Sequence, residues 1–160
     1  MQDYQDREIE IKEIDNLEEI KEQVKNETAD FSGKFTQAIG RRKRAVAQVR
    51  LYENGKGVIM INGQKAVDYF PGDGYGVIIQ PLKATGHLRD FNFSVLVSGG
   101  GKSGQIEAVR LGISRAILTL FPATKEVLKA NDFLTRDPRQ VERKKPGLRG
   151  ARKAPQWSKR

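Results

Sequence analysis

The sequence predicts an α+β domain, with helices on one face of a mostly antiparallel sheet, followed by an extended basic tail. Two stretches, residues 44–52 and 91–98, alternate apolar and polar side chains with the period of two expected of half-buried strands. Between residues 106 and 120 the apolar side chains instead recur at spacings of three and four, which indicates an amphipathic helix. Charge is concentrated at both ends of the 160-residue chain, so the fold is expected to lie between them.

The first half of this domain is predicted to contain two strands and two helices. Residues 44–52 form the first strand, because its alanine, valine and leucine side chains share one side. The elements expected next are a hairpin turn at Asn54-Gly55, a strand at 57–61, a turn at Asn62-Gly63, a helix at 64–70, a loop at 71–74 and a helix at 75–86. Pro81 limits where the last helix can start.

The second half is predicted to contain one strand and two helices. In the strand at 91–98, Phe91, Phe93, Val95 and Val97 point the same way. A glycine loop, Gly99 to Gly101, leads into the long helix, which Pro122 ends, and a shorter helix follows at 124–130. The apolar face of the long helix comprises Ile106, Val109, Ile113, Ala116, Ile117 and Leu120. The predicted order is therefore β-β-α-α-β-α-α.

Composition excludes several classes of function. The chain has no cysteine and a single histidine, so disulfides, thiolate metal sites and paired-histidine metal sites are excluded. His87 lacks the neighbours of a catalytic histidine and is expected to be structural. No apolar run is long enough to span a membrane, and the acidic N-terminus is unlike a secretion or transit signal. With 29 basic and 20 acidic residues, the chain is expected to be a soluble cytoplasmic protein that binds a polyanion.

The charges divide the chain into three parts. Residues 1–30 carry a net charge of −7, residues 31–135 one of +8, and residues 136–160 another +8. We therefore expect an acidic extension over 1–33, a folded domain over 34–135 and an extended tail over 136–160. The tail would reach about 80 Å at ~3.3 Å per residue. Its cations can bind phosphates, and Trp157 can stack on a base.

The acidic extension has two interpretations. Asp15 and Glu18 resemble a helix start, followed by an apolar stripe. This stripe comprises Ile14, Leu17, Ile20 and Val24. The extension is then either a short helix that faces solvent or a protein neighbour, or a disordered segment.

Residues 98–104 resemble a phosphate-binding loop. They lack the Walker spacing, and although Gly99, Gly101 and Gly104 match a dinucleotide pattern, no acidic residue follows at the end of a second strand. No nucleotide cofactor, nor any other, is therefore expected. The loop is either a tight connector or, as we favour, a place where Lys102 and the helix amides meet nucleic-acid phosphates.

Arg41-Arg42-Lys43-Arg44 is a second dense cationic cluster, just before the first predicted strand. It is typical of a solvated surface run and equally of a nucleic-acid contact. A nuclear-import signal would be out of place against a folded strand.

Together these segments resemble the bacterial type of the small ribosomal subunit protein nine family, over about residues 34–160. The motifs that carry the resemblance are Gly40-Arg41-Arg42-Lys43-Arg44-Ala45-Val46-Ala47-Gln48-Val49, Gly99-Gly100-Gly101 through Gly104-Gln105, Ala108-Val109-Arg110-Leu111-Gly112-Ile113, Glu142-Arg143-Lys144-Lys145-Pro146-Gly147 and Ser158-Lys159-Arg160. Residues 1–33 have no counterpart in the short bacterial form, and Trp157 stands where the family usually has Phe or Tyr.

The resemblance implies a fold like domain two of small-subunit protein five, with a left-handed β-α-β crossover. It also implies a non-enzymatic ribosomal protein that binds the 3′ major domain of small-subunit RNA in the head, among neighbouring head proteins. Lys159 and Arg160 would approach the peptidyl-site tRNA. The residues expected to bind ribosomal RNA are Arg41, Arg42, Lys43, Arg44, Lys102, Arg110, Arg115, Arg143, Lys144, Lys145, Arg149, Arg152 and Lys153. A nucleotide-dependent enzyme and a general DNA-binding protein are the alternatives.

Overall fold

The computed structural model of the chain describes residues 31–53, 55–70 and 72–158. The strands in these ranges are β1 Phe35–Arg42, β2 Ala45–Tyr52, β3 Ile59–Ile61, β4 Gln64–Lys65 and β5 Asn92–Ser98. The helices are α1 Ala66–Tyr69, α2 Gly74–Thr85, α3 Lys102–Leu120 and α4 Lys125–Ala130, with a 3-10 turn at Pro122–Thr124. The predicted α+β class is therefore confirmed. The acidic residues 1–30, with their predicted helix start, lie outside the described residues.

The five strands form one sheet in the order β1-β2-β5-β3-β4. Strands β1 and β2, β2 and β5, and β3 and β4 pair antiparallel, whereas β3 and β5 are parallel. The segment between β3 and β5 contains α1 and α2, so β3, these helices and β5 make a β-α-β unit.

The predicted hairpin at Asn54-Gly55 is wrong. Strand β5 lies between β2 and β3, so the two strands expected to pair are not neighbours. The connecting loop instead binds the chain that enters β5, because Gly55 N donates to Asp90 O at 2.8 Å and Gly57 N donates to Phe91 O at 3.1 Å. An Asn-Gly pair indicates a turn, but it does not determine which strand the chain meets after the turn.

The sequence analysis missed β1, which pairs with β2 along its whole length. Only two residues, Lys43 and Arg44, connect these strands, and Lys43 adopts the left-handed conformation with φ of 52°. That conformation normally favours glycine or asparagine in a two-residue hairpin, so the usual turn signal is absent. Gly40 also interrupts the apolar alternation of β1, because helix α3 packs closely against this residue.

The remaining elements follow the predictions closely. The helix expected at 75–86, the strand at 91–98, the long helix and the helix at 124–130 all form within a few residues of their expected bounds. The Asn62-Gly63 turn is confirmed, with both residues at positive φ. The helix predicted at 64–70 is shorter, because its first two residues pair with β3 as β4.

The core lies between the sheet and the helices. Helix α3 crosses β1 and β2, where Ala47 and Val49 of β2 are buried together with Ile113 and Ile117 of the helix. The alternation that predicted β2 and β5 therefore has its apolar side facing the helices. On the opposite face, which we call the open face, Ile39, Gln48 and Leu96 are exposed, and no helix of the described ranges covers it.

No helix in the described part of the chain is both long and apolar enough to cross a lipid bilayer.

Candidate nucleic-acid interface

The cationic run at 41–44 is divided by the geometry of β1. Side chains of a strand alternate between the faces of the sheet, so adjacent residues cannot point the same way. Arg41 is exposed on the open face, Arg42 is buried on the helix side, and Lys43 and Arg44 are exposed in the turn. The four consecutive cations therefore lie in three different environments.

Arg42 uses its guanidinium on other parts of the protein. Its Nε donates to Glu107 Oε2 on α3, its Nη2 lies 2.9 Å from Asp137 Oδ2, and its Nη1 donates to the carbonyl oxygen of Arg139 at 2.6 Å. Its side chain is only 8% exposed. Of the four cations in the run, Arg42 is thus the one that the fold turns away from solvent.

The glycine loop packs tightly against the turn between β1 and β2. A Cβ added to Gly99 would lie 2.6 Å from Arg44 O, and one on Gly100 would lie 3.0 Å from Ala45 N. Both residues also have positive φ. These two glycines are therefore explained by close backbone approach and chain direction. The loop brings the start of α3 beside the cationic turn.

Lys102, the first residue of α3, points towards α1. Its ammonium group lies 3.5 Å from the centre of the Tyr69 ring and donates to Tyr69 O at 3.1 Å. A cation over an aromatic ring is stabilised by the negative face of that ring. Lys102 is exposed, so it remains accessible to a phosphate on its solvent side.

Arg110 and Arg115 are partly buried on α3. Arg110 donates to Gln80 Oε1 at 3.2 Å and lies 5.6 Å from the centre of the Phe133 ring. Arg115 donates to Ile39 O at 2.8 Å, which satisfies a carbonyl of the sheet's edge strand. Both residues thus have structural contacts alongside their predicted RNA contacts.

The tail has neither helix nor strand between residues 131 and 158, but it is not simply extended. Its segment 142–153 folds into a loop, in which Glu142 pairs with Lys145 at 3.2 Å and with Arg152 at 2.8 Å. Arg149 N donates to Lys153 O at 2.7 Å across the same loop. Glu142 therefore brings Lys145 and Arg152 together within a segment that was expected to be extended. Lys159 and Arg160 lie outside the described residues.

Asp137 ties the start of the tail to the domain. Its Oδ2 accepts a hydrogen bond from Arg139 Nη2 at 2.6 Å, and the same oxygen lies 2.9 Å from Arg42 Nη2. Hydrogen bonds from the Arg139 side chain and backbone, together with the positive charges of Arg139 and Arg42, hold the pKa of Asp137 well below its ordinary value of 3.8.

Six of the predicted RNA-binding side chains make no hydrogen bond or ion pair with another described residue. They are Arg41, Lys43, Arg44, Lys144, Arg149 and Lys153. An exposed cation without a carboxylate partner is free to neutralise a phosphate. Trp157 is 78% exposed in the same tail, and its indole is accessible for stacking.

A cleft of about 420 Å³ lies between the turn, the glycine loop and the tail. Its lining residues are Lys43, Arg44, Gly100, Gly101, Gln140 and Val141. The two unpaired cations of the turn and two residues of the tail thus line the same cleft. The sequence analysis did not predict that these three segments would meet.

Sequence reasoning also missed one cation of the open face and the carboxylates that organise the site. Arg50 lies on the open face, 5.2 Å from the centre of the Phe35 ring, and its position on the polar side of β2 could have indicated this. Glu107 and Asp137 gave no such signal, since their meeting with Arg42 depends on the tertiary fold.

His87 has a structural environment. Its Nδ1 lies 2.6 Å from Asp90 Oδ2, and its ring stacks on Phe121 with ring centres 4.8 Å apart. Within the described ranges, no group of three or more potential metal-binding side chains occurs.

Comparison with known proteins gives a consistent match. The family described as Ribosomal protein S9/S16 matches residues 40–160. A protein of Lawsonia intracellularis named small ribosomal subunit protein uS9 is 54% identical over 131 residues, which are 81% of this chain and 100% of the relative. The proteins of the same name from Maridesulfovibrio salexigens and Mycobacterium leprae are each 50% identical, over 81% and 78% of this chain and 100% and 81% of the relatives.

Proposed function

The chain belongs to the ribosomal protein S9 family, and on that premise we propose that its unpaired cations bind small-subunit ribosomal RNA in the head of the subunit. Members of this family are structural components of the ribosome, so the chain is a ribosomal protein of the small subunit and not an enzyme. The observation that carries the RNA-binding proposal is the cluster of unpaired cations on the turn beside the glycine loop and on the tail.

The chemistry of this cluster suits a phosphate backbone. Exposed lysines and arginines release counterions when they neutralise phosphates, so binding weakens as salt rises. Gly101, the residue before α3, lines the same cleft as Lys43 and Arg44, and helix N-termini favour anions. Arg41 and Arg50 extend the positive charge onto the open face of the sheet.

The finer assignments follow from the family resemblance. We propose that the RNA bound is the 3′ major domain and that the neighbours are head proteins of a cytoplasmic ribosome. Lys159 and Arg160 approach the peptidyl-site tRNA, which suits their position at the end of a cationic tail. The β3-to-β5 crossover is proposed to be left-handed, as in domain two of small-subunit protein five.

A salt titration tests the RNA contact of the turn. Lys43→Ala with Arg44→Ala should weaken binding to a 3′ major domain RNA fragment and reduce the slope of log affinity against log salt by about one to two units. Lys125→Ala with Lys129→Ala is the matched control, because both lysines are exposed on α4 outside the cluster. Equal slopes for the two pairs would contradict the assignment. Competition with duplex DNA separates ribosomal RNA recognition from general nucleic-acid binding.

Deletion of Lys159 and Arg160 tests the tRNA contact. Eight of the ten tail cations remain, so incorporation into the subunit should be nearly unchanged. Occupancy of the peptidyl site by tRNA should fall, because two charges that neutralise its phosphates are lost. Unchanged occupancy in a filter-binding assay would refute this assignment. Replacement of Arg143, Lys144 and Lys145 by alanine should instead reduce incorporation.

A further inference from the structure

We infer that Arg42 is a positioning residue, which fixes the direction in which the basic tail leaves the domain and does not itself bind RNA. Its place in the run at 41–44 had predicted an RNA contact. The consequence for RNA binding depends on the proposed function, whereas the positioning of the tail does not.

The burial of Arg42 supports this role. It is the last residue of β1, and the alternation of the strand directs its side chain towards α3 and the tail. With 8% of the side chain exposed, the guanidinium has little surface left for a phosphate. Its neighbours Arg41 and Lys43 are both exposed, so burial is specific to this position.

The partners of Arg42 connect three separate segments of the chain. Glu107 belongs to α3, Asp137 begins the tail, and the carbonyl of Arg139 is two residues further on. All three groups accept hydrogen bonds, and the guanidinium supplies donors in a fixed planar fork. Lysine carries the same charge but lacks this fork, so it could not hold three acceptors in the same geometry.

The charges of Arg42 and its partners are balanced. Two carboxylates, Glu107 and Asp137, face two guanidinium groups, Arg42 and Arg139. Escape of the tail would remove both Asp137 and the Arg139 carbonyl from Arg42 and leave Glu107 as the remaining partner of these three, so the attached tail keeps more of the guanidinium hydrogen bonds. The cluster therefore favours one path for residues 137–139.

That path shapes the cleft. Gln140 and Val141 follow directly after the tethered residues and line the cleft together with Lys43 and Arg44. Without the tether, these two residues would not be held beside the glycine loop. Arg42 thus affects the RNA-binding surface indirectly, by positioning the tail, and does not itself contact the nucleic acid.

Spin labelling of the full chain tests this inference. The protein has no cysteine, so Thr119→Cys on α3 and Gln140→Cys in the tail provide two unique sites, both exposed. We expect a single narrow distribution of distances between the two labels. Asp137→Asn should broaden it, since the neutral amide loses its ion pairs with Arg42 and Arg139, and Arg42→Lys should broaden it too. Arg41→Gln is the control and should leave it unchanged.

Three results would overturn the inference. They are a broad distribution in the parent protein, a narrow one in the Asp137→Asn variant, and a broadening by Arg41→Gln as large as that by Asp137→Asn. Asp137 lies outside the helices and strands, so its variant keeps the test decisive even if changes at Arg42 unfold the domain.

RNA affinity provides an independent test, because the two explanations predict changes of opposite sign in the affinity. Asp137→Asn removes a negative charge, so electrostatics alone predicts tighter binding to the RNA fragment. Loss of tail positioning predicts binding weaker by several-fold, and tighter binding would refute the role in RNA recognition. If the parent chain did not bind the RNA while its tail distances stayed narrow, the proposed function would fail and the positioning of the tail would stand.

Discussion

At the scale of single residues, two glycines allow helix α3 to approach the sheet closely. A Cβ on Gly40 of β1 would lie 1.8 Å from Ala108 O, and one on Gly112 of α3 would lie 2.5 Å from Val49 Cγ2. Gly40 and Gly112 are also within the motifs that carry the family resemblance. Their lack of a side chain lets the helix rest directly on the edge of the sheet.

Gly40→Ala should therefore destabilise the domain. The added methyl group meets backbone atoms that cannot rotate away, and overpacking costs about 1–3 kcal/mol or more. Urea unfolding followed by circular dichroism measures the change in the free energy of unfolding.

Gly101→Ser is the matched control for this substitution. A Cβ at Gly101 meets nothing within 4 Å, and serine is a favoured residue at the start of a helix. Its effect should stay within about 0.5 kcal/mol. Equal destabilisation by both substitutions would show that the contact between β1 and α3 is not the cause.

Asp137 gives a prediction about pH. Hydrogen bonds from Arg139 and the charge of Arg42 lower the pKa of this carboxyl, so its attachment is present above the ordinary value of 3.8 and is lost only as pH falls through the lower folded value. Distances between labels at positions 119 and 140 should be the same at pH 7 and at about pH 4. Broadening already at about pH 4, where a carboxyl of ordinary pKa is nearly half protonated, would mean that the pKa of the Asp137 carboxyl is not lowered.

At the scale of elements, the tail shows how a single carboxylate organises a basic segment. Glu142 pairs with Lys145 and Arg152, and these pairs close the loop over 142–153. All three side chains are largely exposed, so the pairs contribute little to stability. If the tail binds RNA as proposed, their effect is to occupy two of the cations expected to contact it.

Glu142→Gln should strengthen RNA binding while leaving stability unchanged. It removes one negative charge and releases two cations, so the salt slope should steepen by about one to two units. Glu126→Gln on α4 also removes one exposed negative charge but frees no tail cation. A slope that changes equally in both variants would show that net charge, and not the release of Lys145 and Arg152, is responsible.

At the scale of the whole molecule, positive charge is present both on the folded domain and on the tail that follows it. The domain segment and the tail segment each carry a net +8. Two linked binding surfaces hold a common partner more tightly than either alone, because the second binds at a high effective concentration. The salt concentration at which the chain is released from the small subunit should therefore depend on both the domain and the tail.

Co-sedimentation with ribosomal subunits measures this dependence. The full chain should remain on the small subunit through a high-salt wash, whereas a chain ending at Gln140 should be released at a lower salt concentration. That truncation keeps Asp137 and Arg139, so the start of the tail retains its contacts. The Lys125→Ala, Lys129→Ala variant is the control, and its release at the same low salt would argue against a specific role of the tail.

Local pattern was sufficient for much of the fold. Strands β2 and β5 and helices α2 to α4 were predictable because their apolar residues repeat with the period of the element. The family could be identified from its motifs, but those motifs did not distinguish the buried Arg42 from its exposed neighbours in the run at 41–44. The apolar repeats and the motifs depend on neighbours along the chain, which a sequence records directly.

The sequence by itself thus determined the class of the fold, the family and the basic character of its surfaces. The tertiary structure alone decided that β5 separates β2 from β3, that β1 forms an edge against α3, and that Arg42 faces Glu107 and Asp137. These are contacts between segments far apart in the chain, with 65 and 95 positions separating Arg42 from its two carboxylates. Their energies depend on burial and on geometry in three dimensions, which no local period encodes.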